Sequence, residues 1–163
     1  MTANRRGTPR VLFVCLGNIC RSPLAEAAMR AAADRADIAI EVDSAGTGDW
    51  HVGQPPDRRA IATAARHGID INGLRARKVE TEDFHAFDHV VALDRSNLTA
   101  LRALRPADAR AQLSLLFDHV AGREGEDVAD PYHGSDAGFE ITWHDVNLGA
   151  EALLARLRAQ PSG

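Results

Sequence analysis

"VCLGNICRSP", residues 14–23, follows an apolar run, precedes an Ala-rich stretch and contains both cysteines of the chain. Cys15 and Arg21 bracket a turn made of Leu16, Gly17, Asn18, Ile19 and Cys20. Its flanks decide its setting. "RVLFVC" (10–15) is a continuous apolar run of strand length. From Ser22 or Pro23 to Asp34 the chain reads as a helix, with proline suited to the first turn. Strand, glycine-containing loop and helix, in that order, make an oxyanion cradle. Main-chain N–H groups turn inward, and the helix N-terminus adds partial positive charge.

Working outward, "IAIEVDSA" (38–45) and "FDHVVALD" (87–94) read as buried strands, and "AQLSLLF" (111–117) as a weaker fourth. Helical patterns cover 56–67, stopping at Gly68, and 96–105, stopping at Pro106. Phe139, Trp143, Val146, Ala150, Leu153 and Leu157 form the apolar stripe of a long C-terminal helix. This alternation predicts an α/β fold, a single-domain three-layer sandwich with a four-stranded parallel sheet flanked by helices. Such sheets bind ligands beyond the carboxyl ends of their strands, at the switch point, which is where Cys15 falls.

With 163 residues the chain reads as one domain over 10–160, after a flexible segment 1–9. Residues 121–138, rich in Gly and acid, read as its mobile stretch. The net charge of −4, with no basic block, argues against nucleic acid as a partner. Nothing approaches the roughly 20 apolar residues of a membrane span. The apolar run after "MTANRRGTPR" is too short for a signal-peptide core. The two cysteines read as free thiols of a reducing, cytoplasmic compartment.

The loop lacks the G-x-x-x-x-G-K-[ST] pattern of nucleotide-binding loops. It has C-x5-R followed by Ser instead. Arg21 supplies a planar fork of donors for two phosphate oxygens. The same donors favour the thiolate of Cys15, which makes it a nucleophile aimed at phosphorus. The plain alternative is a packed Cys15 and a surface Arg21. Position after a buried strand, Gly and Asn within, and an immediate helix favour chemistry. No His and Cys spacing suits zinc, so neither metal nor cofactor is expected.

"VCLGNICRSPLAEA" resembles the signature of the low-molecular-weight protein-tyrosine phosphatases. "DSAGTGDWHVGQPPD" (43–57), "HGID" (67–70), "LDRSN" (93–97) and "DPYHG" (130–134) are similar to family landmarks in family order. The resemblance implies a phosphotyrosine phosphatase I-like fold with a flavodoxin-like arrangement. It also implies hydrolysis of phosphotyrosine in proteins through a cysteinyl-phosphate on Cys15. Asp130 becomes the general acid and then the base, a role that Asp-Pro-Tyr, otherwise a turn, does not announce alone. Arg21 and the loop residues Leu16, Gly17, Asn18, Ile19, Cys20 and Ser22 would hold the phosphate or another oxyanion. Trp50 and Tyr132 would sandwich the phenyl ring; read without the family, Trp50 is equally an anchor for its loop. Ser22 would donate to the Cys15 sulfur, serve as a helix N-cap, or both. Asn18 would brace the loop through Ser44. Cys20, otherwise a small packed thiol, would protect Cys15 by forming a reversible disulfide. The implied partner is a tyrosine-phosphorylated protein, in the cytoplasm of its own cell or of a host.

Relatives acting on phosphoarginine carry Thr where this chain has Ile19, so Ile19 favours tyrosine. Three positions depart from the family pattern. His133 stands in place of a second tyrosine, Leu74 stands where many members have a His supporting Asn18 and Ser44, and His51 follows Trp50 at a variable place. His67, His85, His89, His119 and His144 form no pattern. Two rivals remain. An arsenate reductase on the same fold relays a disulfide to further cysteines, of which there are none here. A non-catalytic phosphate-binding module would not need Asp130.

Overall fold

Arg10–Cys15 (β1) is apolar at every position after Arg10 because both of its faces are covered. Val11 and Phe13 face one layer while Leu12 and Val14 face the other, and all four are fully buried. The structure, a computed structural model, describes residues 8–159. Residues 1–7 of the expected N-terminal segment lie outside the described residues, as does residue 160 at the end of the expected domain.

After β1 come α1 (Arg21–Ala36), β2 (Glu41–Gly46), α2 (Arg58–Arg66), α3 (Asp83–Ala86) and β3 (His89–Ala92). Then follow α4 (Arg95–Leu104), β4 (Gln112–Leu115), a 3-10 turn (Leu116–His119) and α5 (Asp136–Ala159). The sheet order is β2-β1-β3-β4 and every pair is parallel. Helices α1, α2 and α5 cover the Val11 and Phe13 face, using Leu24, Met29, Ala60, Phe139 and Val146 among others. Helices α3 and α4 cover the opposite face through Phe84, Leu98 and Leu101. The expected three-layer sandwich is therefore the observed one. From β1 the chain crosses to β2 on one side and later returns to place β3 on the other. The carboxyl end of β1 is thus the switch point, and Cys15 is its last residue.

Element ends differ from expectation for local reasons. The strand expected from 38 begins at Glu41, because Asp37 takes the left-handed conformation (φ 56°) and the Ile38 amide caps α1 on the Ala33 carbonyl. The strand expected over 87–94 keeps only His89–Ala92. On one side the Phe87 amide closes the short α3 on Asp83; on the other the Asp94 side chain caps α4 through the Asn97 amide. The last strand stops at Leu115, where the chain tightens into the 3-10 turn. Helix α1 begins at Arg21, one residue before the expected start, and α5 begins at Asp136. The acidic stretch after 121 is tied down in its middle. Val128 is buried, and its amide donates to the Leu93 carbonyl at 2.9 Å.

One polar line crosses the packing of β4, the 3-10 turn and α5. Arg156 Nη1 donates to His119 Nδ1 at 2.8 Å, and His119 Nε2 meets Ser114 Oγ at 2.9 Å. An arginine only donates, so Nδ1 accepts and the single ring proton sits on Nε2. Burial, with Arg156 and His89 adding to it against Asp118, pushes the His119 pKa down to about 4. Burial lowers His89 as well, assisted by Arg156 and opposed by Asp88.

Both folded values lie below that of an unfolded histidine, near pH 6.5. Their stabilisation is fully present above that pH and is lost as the pH falls toward 4. Solvent screening at half-buried His119 reduces the linkage to about 1–2 kcal/mol. Urea unfolding of His119→Asn between pH 7 and pH 4 should show an acid-side slope shallower by that amount; an unchanged slope removes His119 from the account.

Candidate active site

The loop between β1 and α1 turns three carbonyls outward. Those of Cys15 and Leu16 accept from the Thr47 and Gly48 amides at 2.9 Å, and that of Ile19 accepts from the Asp57 amide at 2.8 Å. Among the described residues, no main-chain N–H of residues 16–21 donates to a protein acceptor. Unpaired donors gathered at a helix N-terminus form a nest for an anion.

Asn18 makes this shape possible. It is a non-glycine residue at φ 57°, and its side chain is buried. Its Nδ2 donates to Ser22 Oγ at 2.8 Å and Ser44 Oγ at 3.0 Å, while Oδ1 accepts from the Arg77 amide at 3.0 Å. The expected Asn18 and Ser44 contact is present. Ser22 Oγ accepts from Asn18, which leaves its proton for Cys15 Sγ at 3.0 Å or the Ala45 carbonyl at 3.5 Å, the sulfur being the nearer of the two. Ser22 is not a helix N-cap. It lies inside α1, Cys20 occupies the cap position without a side-chain cap bond, and the Ser22 hydroxyl is already committed.

Ser44 Oγ donates in turn to Glu26 Oε1 at 2.8 Å. Glu26 is 2% exposed, and its other oxygen accepts from Arg30 at 2.6 Å. A continuous chain of hydrogen bonds therefore runs from Arg30 to the Cys15 sulfur. Leu74, partly buried against the core on the Val11 and Phe13 face, adds no hydrogen bond to it; Glu26 and the Arg77 amide are the support. The sequence reading missed Glu26. Its signal was spacing, since Ser22, Glu26 and Arg30 recur every fourth residue on one face of α1.

Arg21 is buried with its guanidinium shared. Nη1 donates to Asp94 Oδ2 at 2.6 Å and to the Val128 carbonyl at 3.0 Å, and Nη2 lies 3.6 Å from Asp130 Oδ2. Burial works against its charge, but Cys15, Asp94 and Asp130 outweigh burial and raise its pKa. Asp94 is a second miss. Its signal was only its place two residues past the end of β3, the strand beside β1, within the "LDRSN" landmark.

Asp130 stands at the mouth, with its side chain 44% exposed and its Oδ1 accepting from the Tyr132 amide at 3.1 Å. One cleft is lined by Cys15, Leu16, Gly17, Ile19, Cys20, Arg21, Trp50, His51, Asp130 and Tyr132. The structure thus brings together the expected nucleophile, arginine, acid and aromatics; Asn18 and Ser22 lie beneath, in the supporting network. Trp50 is 66% exposed and so is no core anchor. Its ring lies against Gly48, where an added Cβ would come within 1.9 Å of it. His133 meets the Tyr132 ring edge-on at 4.9 Å. Cys20 is buried with a free thiol. Burial, followed by the charges of Asp57, Cys15 and Asp130, pushes its pKa up, so it is held protonated at neutral pH. The nearby acids have partners of their own: Glu126 pairs with Arg123, and Asp127 with Arg95. His67 stacks on Trp143 and bonds Glu140, away from the cleft lining. Among the described residues, no group of three or more His, Cys, Asp or Glu is arranged to hold a metal ion, and no helix is long and apolar enough to cross a membrane.

Comparison with known proteins agrees with this geometry. The family model of the low molecular weight phosphotyrosine protein phosphatases matches residues 10–162. A low molecular weight protein-tyrosine-phosphatase of Streptomyces coelicolor is 43% identical over 161 residues, covering 96% of this chain and 98% of that one. YfkJ of Bacillus subtilis, of the same description, is 39% identical over 152 residues, covering 92% and 96%. The crystal structure of YfkJ superposes with a TM-score of 0.86, covering 93% of this chain and 95% of that chain at 38% identity. A Drosophila arginine phosphatase also superposes with a TM-score of 0.86, at 31% identity over 93% of this chain and 99% of that one. With its switch-point thiol, its anion nest and these matches over nearly its whole length, the chain belongs to the low molecular weight phosphotyrosine protein phosphatase family.

Proposed function

We propose that this chain hydrolyses phosphotyrosine in proteins, and small aryl phosphates, through a cysteinyl-phosphate on Cys15. The observation that carries the reading is the meeting, in one cleft, of a sulfur bonded to Ser22, a nest of unpaired amides, the Arg21 guanidinium and the Asp130 carboxyl. In the first step the Cys15 sulfur attacks phosphorus as the phosphorus–oxygen bond breaks, and Asp130 gives its proton to the departing phenolic oxygen. In the second, Asp130 takes a proton from water, which attacks phosphorus and releases Cys15 and inorganic phosphate. The amides and Arg21 stabilise the charge spread over the equatorial oxygens in both transition states. Ser22 eases the departure of the sulfur by donating to it.

The depth of the nucleophile supports an aryl substrate. Cys15 is 3% exposed, so the phosphate must reach it on a long flat arm, between Trp50 and Tyr132. Ile19 puts an apolar wall in that slot, which favours a phenyl ring over a guanidinium. Cys20 is read as the resolving thiol. Once peroxide has turned Cys15 into a sulfenic acid, attack by the Cys20 sulfur forms the disulfide and expels water.

Cys15→Ser should lower turnover of para-nitrophenyl phosphate by at least about 10⁴-fold while still binding orthophosphate by calorimetry. A phosphotyrosine peptide should be cleaved at least about 100-fold faster than phosphoserine or phosphoarginine peptides; preference for phosphoarginine would reverse the Ile19 argument. Asp94→Asn can still cap α4 but leaves the buried Arg21 charge without its counter-ion, so it should lower the unfolding free energy by about 3 kcal/mol, and its orthophosphate affinity should fall about tenfold as Arg21 loses its charged anchor. Peroxide inactivation should be reversed by dithiothreitol in the native protein and not in Cys20→Ser. Because the Cys20 pKa is raised, its attack should quicken as pH rises from 7 to 9. A loss that dithiothreitol fails to reverse in the native protein denies Cys20 this part.

A further inference from the structure

The segment after Asp130 runs without regular structure until α5 begins at Asp136. Asp130 is much more exposed than the sulfur and guanidinium it must work with. Something has to fix this segment relative to the loop that carries Cys15, and one side chain touches it in the required way. Arg59 Nη2 donates to the Tyr132 carbonyl at 2.8 Å, and Nη1 donates to the Gly134 carbonyl at 3.1 Å. Its guanidinium also lies 4.6 Å from the centroid of the Phe139 ring and 5.7 Å from that of Tyr132.

Arg59 is itself held. Its Nε and Nη2 meet the two oxygens of Asp57 at 3.1 Å each, a two-point pairing of fork with carboxylate. Asp57 also caps α2 by accepting from the Arg59 amide at 2.8 Å. The main chain of Asp57 reaches the other half of the site, because its amide donates to the Ile19 carbonyl at 2.8 Å. From the phosphate loop, through Asp57 and Arg59, to the segment bearing Asp130 there is an unbroken set of hydrogen bonds. Asp57 and Arg59 lie outside the cleft lining.

We infer that Arg59, braced by Asp57, is the positioning residue that sets the reach between Asp130 and the phosphoryl group held over Cys15. The inference rests on the reading of Asp130 as the general acid. It follows from the division of labour in the site. The amide nest and Arg21 hold phosphate without help from Arg59, so phosphate binding does not depend on the strut. Tyr132 rides on the same segment, but its contact with the phenyl ring is shared by every aryl phosphate; proton transfer to the leaving oxygen is the part that depends on the leaving group, and a misplacement of about 1 Å is enough to impair it. Lysine cannot replace Arg59, since a single ammonium cannot hold two carbonyls and both Asp57 oxygens in one plane.

The test measures kcat/KM on a series of aryl phosphates with leaving groups from nitrophenol to phenol, for the native chain, Asp130→Ala, Arg59→Gln, Arg59→Lys and the Arg59→Gln/Asp130→Ala double variant. Asp130→Ala should lose at least about 100-fold on phenyl phosphate and much less on nitrophenyl phosphate. Arg59→Gln should show the same skew at about tenfold. Arg59→Lys should do likewise, and it serves as the folded variant if Gln proves unstable. Orthophosphate affinity should stay within about twofold. In the double variant the skew between phenyl and nitrophenyl phosphate should equal that of Asp130→Ala alone, because a strut with no acid to place adds nothing that depends on the leaving group. If Asp130→Ala shows no leaving-group skew, the acid assignment fails and takes the strut with it. If Asp130→Ala is skewed but the Arg59 variants lose evenly across the series, or their skew multiplies with that of Asp130→Ala, Arg59 is an ordinary packing residue and the inference is overturned.

Discussion

The carboxamide of Asn18 is the constraint on which the site depends. A side-chain-bearing residue in the left-handed region is under strain that its surroundings must hold in place. Here three hydrogen bonds hold it, to Ser22, Ser44 and the Arg77 amide. Without that bend the carbonyls of Cys15, Leu16 and Ile19 could not pair as they do with amides outside the loop, and the amides of 16–21 would not be left to face a ligand. The same carboxamide occupies the acceptor side of the Ser22 hydroxyl and so turns its proton toward Cys15 and the more distant Ala45 carbonyl. One side chain sets both the shape of the anion nest and the environment of the sulfur above it.

Arg21 poses the opposite problem, a full positive charge buried at the base of that nest. A buried charge is tolerated only where it is paired and hydrogen-bonded. Asp94 supplies the counter-charge, and the Val128 carbonyl takes a second donor from the same nitrogen. The pairing is monodentate, so it fixes the guanidinium while leaving Nη2 turned toward Asp130. The contacts come from just beyond the end of β3 and from the middle of the acidic stretch, so the site closes only when the sheet and that stretch are both in place.

What could be read in the sequence was what is local. The β1 run, the C-x5-R turn and the start of α1 are contiguous, and each shows its own period or composition. The α5 stripe is legible because six apolar residues repeat over a helix long enough to display them. What escaped depends on residues far apart in the chain. No pattern near Asp94 announces that it meets Arg21, and α3 is too short to show a helical period. The open choice at Ser22 between sulfur donor and cap had the same origin, because a serine ahead of a helix looks alike whether its hydroxyl bonds the backbone or a sulfur. The "PPDRRAI" stretch shows the limit clearly. It offers two arginines, and only the cap geometry of Asp57 determines that Arg59 turns back onto the carboxylate while Arg58 stays exposed.

On the proposed mechanism, the contrast in burial across the site follows from the oxygens each group must meet. Cys15 and Arg21 serve phosphorus and its equatorial oxygens, which occupy one place throughout, so both can be sealed in the core. Asp130 must serve two different oxygens in turn, that of the departing phenol and that of the incoming water. Both pass through the mouth of the cleft. A carboxyl sealed beside the sulfur would be unable to release the phenol and then admit water along the same path. The acid is therefore carried by a segment of exposed backbone rather than by the sheet. This is also why its placement falls to hydrogen bonds from a neighbouring helix, and not to the close packing that fixes the other half of the site.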